Sequence, residues 1–192
     1  MATLRWPKNV LRKKSLTVTL GPGATSQGWG RALDKALDEM NQMLEHNTVE
    51  LKITKAEKPI NAHIVIDTKP GNGLHGNAEI TPARDGDKSW IDSIKILLPA
   101  TPRINPGDPK SRLAGDGVRL YLLVHELVHC VGLTNDDHTG GDVFSDKVQL
   151  ISGKTAADDK VQYDARHQAM PPIHFDAATI TKIQGAWPSV AT

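Results

Sequence analysis

Residues 117–132 read GVRLYLLVHELVHCVG. Wound as an α-helix, this stretch is apolar on almost every face, so it has to lie inside the protein rather than on it. Arg119, His125, Glu126 and His129 are the exceptions. Two imidazoles and a carboxylate are costly to bury unless something compensates them. The stretch therefore demands a chain large enough to surround a helix, and a partner able to satisfy the polar residues. With 192 residues, the chain can build one domain with a substantial core. Asp116 stands where a helix N-cap is expected. Gly132 stands where a helix that must turn sharply needs positive φ.

The spacing of the polar residues points to a metal. His125 and His129 are four apart, so their side chains lie one turn above the other on one face. Two Nε2 atoms so placed reach a single Zn²⁺ at about 2.0–2.1 Å. Glu126 is rotated by about 100° from His125, which sets its carboxylate beside the ion, where it can act as a general base toward a zinc-polarised water. The competing reading is a pair of core histidines satisfied by hydrogen bonds alone.

Elsewhere the periodicities predict an α+β domain. SLTVTLGP (15–22) alternates like a strand. Apolar residues at helical spacing from Trp29 to Leu44 predict an amphipathic helix over 26–46, with Ser26 as its cap. VELKITKA (49–56), AHIVIDT (62–68) and SIKILLPA (93–100) read as strands, and Asn77 to Thr81 as a short edge strand. A proline-rich loop, TPRINPGDPK, leads to the histidine helix. Strand, helix, four strands and helix in that order suggest a mixed twisted sheet covered by helices.

With H-E-x-x-H-x-x-G at His125, Glu126, His129 and Gly132, the chain resembles the metzincin clan of zinc metallopeptidases. HQAMPPIHFDAATITKIQ (167–184) extends the likeness. Met170 there is similar to the Met-turn that forms an apolar floor under the metal, and Asp176 to Trp187 to the clan's C-terminal helix. The resemblance implies a single catalytic domain over 1–192. Its N-terminal lobe (about 1–132) would hold a five-stranded sheet and two helices; its C-terminal lobe (about 133–192) would be small and irregular. It also implies an extended peptide substrate bound along Asn77, Ala78, Glu79 and Ile80, with Gly76 giving close approach. Pro171, Pro172 and Ile173 would wall the pocket beyond the zinc. The chain departs from the clan at one ligand: the third histidine would fall at Asn135, whose amide is a poor zinc ligand. His138 is the expected third ligand, on a loop three residues longer, with Asp136 or Asp137 as the alternative.

Other residues carry weaker signals. A loose alternative zinc site uses TAADDKVQYDA (155–165), with Asp158 or Asp159 as ligand and Tyr163 polarising the substrate carbonyl. The acidic loop ARDGDKS (83–89) is a weak candidate for calcium. His167 and His174 read as polar residues beside the cleft or on the surface, and Cys130 as a small core residue. A lone cysteine allows no internal disulfide. A formal net charge of +1 gives no field for capturing nucleic acid or a membrane surface. The basic cluster Arg5, Lys8, Arg12, Lys13 and Lys14 reads as a solvated tail. No run is long enough to span a membrane, and no signal peptide is evident; the compartment stays open between a protein cytoplasmic as synthesised, one whose leader has been removed and one exported by an unconventional route. The expectation is a monomeric zinc metalloendopeptidase acting on peptides or proteins. Its rivals are a zinc hydrolase of a non-peptide amide and a non-catalytic zinc-containing binding module.

Overall fold

The structure is a computed structural model that describes residues 5–71, 73–86, 88–139, 141–145, 149–162 and 173–188. In chain order its elements are α1 (Lys8–Lys13), β1 (Ser15–Leu20), α2 (Pro22–Ser26), α3 (Gly30–His46), β2 (Lys52–Lys55), β3 (Ile64–Lys69), β4 (Ala78–Asp85), β5 (Lys88–Pro99), α4 (Asp116–Cys130), β6 (Gln149–Ile151), β7 (Lys160–Gln162) and α5 (Ala177–Ala186). Five strands form one mixed sheet in the order β2-β1-β3-β5-β4. All neighbours run parallel except β4, which returns antiparallel along β5 and forms the edge. The fold class expected from the sequence is met at this level: α+β, with a five-stranded mixed sheet.

The sheet follows from alternation. Leu16, Val18, Ile53, Ile64, Ile66, Ile94 and Ile96 are all buried, with more exposed residues between them, as a period of two requires. In β5 the alternation slips by one: Ile91 and Ile94 are both buried, three apart. The pairing steps from Thr81↔Ser93 to Pro82↔Ile91, so Asp92 is the extra residue of a bulge. A bulge also lets the edge strand accommodate Pro82, which has no N–H to donate. The edge strand is therefore longer than Asn77 to Thr81; it continues through Pro82 into a hairpin at the ARDGDKS loop.

Several boundaries differ from expectation. Ser26 caps no long helix; it closes α2, its hydroxyl donating to the Gly23 carbonyl. The long helix starts at Gly30 after Trp29. Gly115 is the N-cap of α4, and Asp116 becomes its first helical residue, ion-paired with Arg31 at 2.6 Å. The basic N-terminal segment is not a solvated tail. Lys8–Lys13 is helical, and Trp6 is buried.

α4 is the buried helix the sequence demanded: ten of its fifteen residues are buried. It packs against α3 and lies on β4, β5 and β7. Its one cation, Arg119, stacks over Trp29 at 4.8 Å and donates to the Gln27 carbonyl. A helix also leaves its last carbonyls without partners. Here two indoles supply them: Trp6 Nε1 donates to the Cys130 carbonyl and Trp187 Nε1 to the Val131 carbonyl, each at 2.8 Å. Residues from both ends of the described chain thus converge on the end of one helix. Among the described residues no helix is long and apolar enough to cross a membrane.

Candidate metal centre

Gly132 ends α4 at φ 106, a conformation that a side chain would strain. The chain doubles back there, and the Leu133 carbonyl comes within 3.1 Å of His129 Nδ1. The Val143 carbonyl lies 3.0 Å from His125 Nδ1. A carbonyl can only accept, so each Nδ1 carries a proton and each neutral ring keeps a bare lone pair on Nε2. Burial disfavours the charged form of both rings. Burial lowers His125 to about 4 against the opposing Val143 bond, with the nearby imidazoles His129, His138 and His75 adding to the effect. Burial also lowers His129, despite its bond to Leu133. Neutral imidazoles oriented through Nδ1 by backbone carbonyls are the form in which histidines bind metals.

His138 completes the group. The three residues by which this loop outruns H-E-x-x-H-x-x-G-x-x-H form one 3₁₀ turn, Asn135–Asp137, the number such a turn takes. A capping box between Thr134 and Asp137 closes it. The turn carries His138 to α4, where its Nε2 lies 3.3 Å from His125 Nε2. One nitrogen from each of His125, His129 and His138 falls within 4.8 Å of the others, the sole such cluster of metal-ligating residues among the described residues. Two nitrogens each about 2.0–2.1 Å from a tetrahedral zinc would be about 3.3–3.4 Å apart. The donor set and the observed His125–His138 separation fit that ion.

Neither aspartate joins the cluster. Asp137 accepts the Thr134 N–H and hydroxyl and lies 3.6 Å from Lys182 Nζ, and Asp136 is exposed. The alternative site around 155–165 is not assembled on the described residues. Asp158 caps its own turn, and Asp159 pairs with Arg112 at the N-terminal end of α4, about 15 Å along the axis from His125. Tyr163 lies outside the described residues, as do Met170, Pro171, Pro172 and His167. Ile173 is buried and bonds Glu39 through its N–H; it does not line the cavity described below. In the ARDGDKS loop no three described ligand groups converge.

Glu126 sits beside the histidines, 5% exposed. Burial pushes its carboxyl up to about 7, against the Lys69 charge and a hydrogen bond from the Gly76 N–H. A side chain at Gly76 would displace the Glu126 carboxylate, since a Cβ would stand 2.5 Å from Glu126 Oε1. The glycine thus permits close approach to Glu126, where the sequence had suggested a close approach to substrate. A cavity of about 440 Å³ opens over the group, lined by His125, Glu126, His129 and His138 and, from the other wall, by Leu74, His75, Gly76 and Asn77. An apolar recess of about 90 Å³ shares Leu74, His75, Tyr121 and Leu122 with it and is closed by Val118, Leu150 and Val161. Asn77 exchanges both backbone hydrogen bonds with Leu97. By the alternation of an antiparallel ladder, Ala78 and Ile80 then direct their backbone groups to the open side of β4.

Sequence reasoning missed several participants. Phe144 is fully buried, its ring centroid 5.4, 4.8 and 4.5 Å from those of His125, His129 and His138. The apolar surface under the three imidazoles thus includes a phenylalanine from the loop after His138. Tyr121 lies one turn before His125 and donates to the Ser145 carbonyl. His75 lines both cavities. None of these lies in a periodic pattern; only the spacing of Tyr121 from His125 could have flagged one of them. No known family matches this chain, and no curated protein matches it significantly.

Proposed function

We propose that this chain is a zinc-dependent endopeptidase. One observation carries the reading: three imidazoles converge beside a buried carboxylate in a cavity bordered by an open strand edge. His125, His129 and His138 would hold the ion. When bound, zinc supplies a Lewis acid that lowers the pKa of water to about 7 and polarises a carbonyl.

The remaining chemistry belongs to the protein. Glu126 accepts a proton from the attacking water and returns it to the leaving amine nitrogen. The Gly76 N–H fixes that carboxylate, and Gly76 adjoins the start of β4. An extended peptide adds to the edge through Ala78 and Ile80, the mode by which strand edges bind peptides. That edge favours a peptide over a small non-peptide amide. A purely structural metal site also has no use for a general base, which weighs against a binding module.

The test is metal content of the purified chain together with cleavage of a mixed peptide library, compared with Glu126→Ala. One zinc per chain, cleavage by the normal protein and none by the variant are expected. Zinc retained with every peptide left intact would overturn the reading.

A further inference from the structure

Asp142 is a fully buried carboxylate four residues beyond His138, and no cation among the described residues accompanies it. It accepts three hydrogen bonds. Oδ1 takes the Thr139 hydroxyl at 2.6 Å and the Phe144 N–H at 2.9 Å; Oδ2 takes the Asp176 N–H at 2.9 Å. Because the Thr139 proton goes to Asp142, the Thr179 hydroxyl, 3.2 Å from Thr139 Oγ1, has to donate in its turn. Two backbone bonds brace the same loop: Thr139 N–H to the Phe144 carbonyl, and Val143 N–H to the His174 carbonyl.

The loop stitched by this carboxylate carries three parts of the metal centre. His138 stands at its start. The Val143 carbonyl sets the tautomer of His125. The Phe144 ring lies against all three imidazoles. We propose that Asp142 is the positioning residue of the metal centre, tying Thr139 and Phe144 to the start of α5 so that the three imidazoles are aimed before an ion arrives. This rests on the reading of the histidines as metal ligands. Outer partners that orient ligands change metal affinity about 10–100-fold when removed.

Asp142→Asn tests the role. The amide keeps the volume but has one acceptor oxygen, so in either orientation its NH₂ group faces a backbone N–H or the Thr139 hydroxyl. Zinc affinity of the full chain is measured by competition with a chromophoric chelator, and the visible spectrum of the cobalt form is recorded. Far-UV circular dichroism and thermal unfolding follow the fold. Expected are an affinity about 10–100-fold weaker and an altered cobalt spectrum at temperatures where the variant is folded. Thr139→Val, which removes one donor and leaves the carboxylate, should show the same change in weaker form and serves if Asp142→Asn fails to fold. Unchanged affinity and spectrum in the folded variants would overturn the role of Asp142 and leave the triad reading standing. If the normal chain takes up neither zinc nor cobalt, both fall.

Discussion

The two ends of α4 both bury ionisable side chains, and they treat them oppositely. At the N-terminal end, Asp159 receives two bonds from Arg112, at 2.6 and 2.5 Å, and one each from the Gly115 and Gly153 N–H groups. Its polar capacity is filled from within the protein. At the C-terminal end, His125 and His129 each donate through Nδ1 to a backbone carbonyl, and one nitrogen of each ring gathers with one of His138. Buried polar groups normally find partners. A site whose partners are all present is structural, whereas three ligand nitrogens gathered within 4.8 Å of one another could hold a metal ion.

The sharpest way to break this comparison is at the histidines. His138→Ala should abolish stoichiometric zinc retention, while Asp136→Ala should leave it intact; equilibrium dialysis with elemental analysis distinguishes them. Zinc kept by His138→Ala and lost by Asp136→Ala would move the third ligand to the aspartate. Next in size, Glu126→Gln should lower peptide hydrolysis about 10²–10⁴-fold with zinc content unchanged. Loss of zinc as well would make Glu126 part of the structural shell.

The opposite end should respond in stability alone. Asp159→Ala strands the buried Gly115 N–H, a loss of about 1–3 kcal/mol, visible in thermal unfolding. Zinc per folded molecule should not change; if it does, the two ends are coupled and the contrast is wrong. The smallest effect is in acid. Burial alone would raise the Asp159 carboxyl, but bonds from Arg112, Gly153 and Gly115 outweigh it and hold it low. A depressed carboxyl stabilises the fold above its unfolded pKa of about 3.9 and ceases to as pH falls through the lower folded value. The gap in unfolding temperature between the normal chain and Asp159→Asn should therefore be full near pH 6 and shrink below about pH 4. A gap that does not vary with pH would remove Asp159's charge from the account.

Much of this molecule was open to reading along the chain. Local rules act over one turn or one pleat. The pair His125 and His129, the place of Glu126 between them, the turn at Gly132 and the buried strands all follow from neighbours within four residues. What failed shows where those rules stop. Ser26 and Asp116 have the chemistry of caps, yet Trp29 and Gly115 hold those positions: a short extra helix takes up Ser26, and Gly115 lies against the Ala156 backbone with its N–H bonded to Asp159, where no side chain fits. The N-terminal basic segment looked solvated because its charges are local, whereas the indole of Trp6 finds its acceptor 124 residues away.

The sequence by itself determined that one helix must be buried with two imidazoles and a carboxylate on it, since hydrophobicity and helical spacing leave no other arrangement. Tertiary structure alone decided that His138, and neither aspartate beside it, comes to meet them. It also supplied Phe144, the carbonyls of Leu133 and Val143, and the Gly76 N–H. Each of these belongs to a loop or strand end whose path depends on distant packing, and no short-range periodicity encodes where such a segment will finally lie.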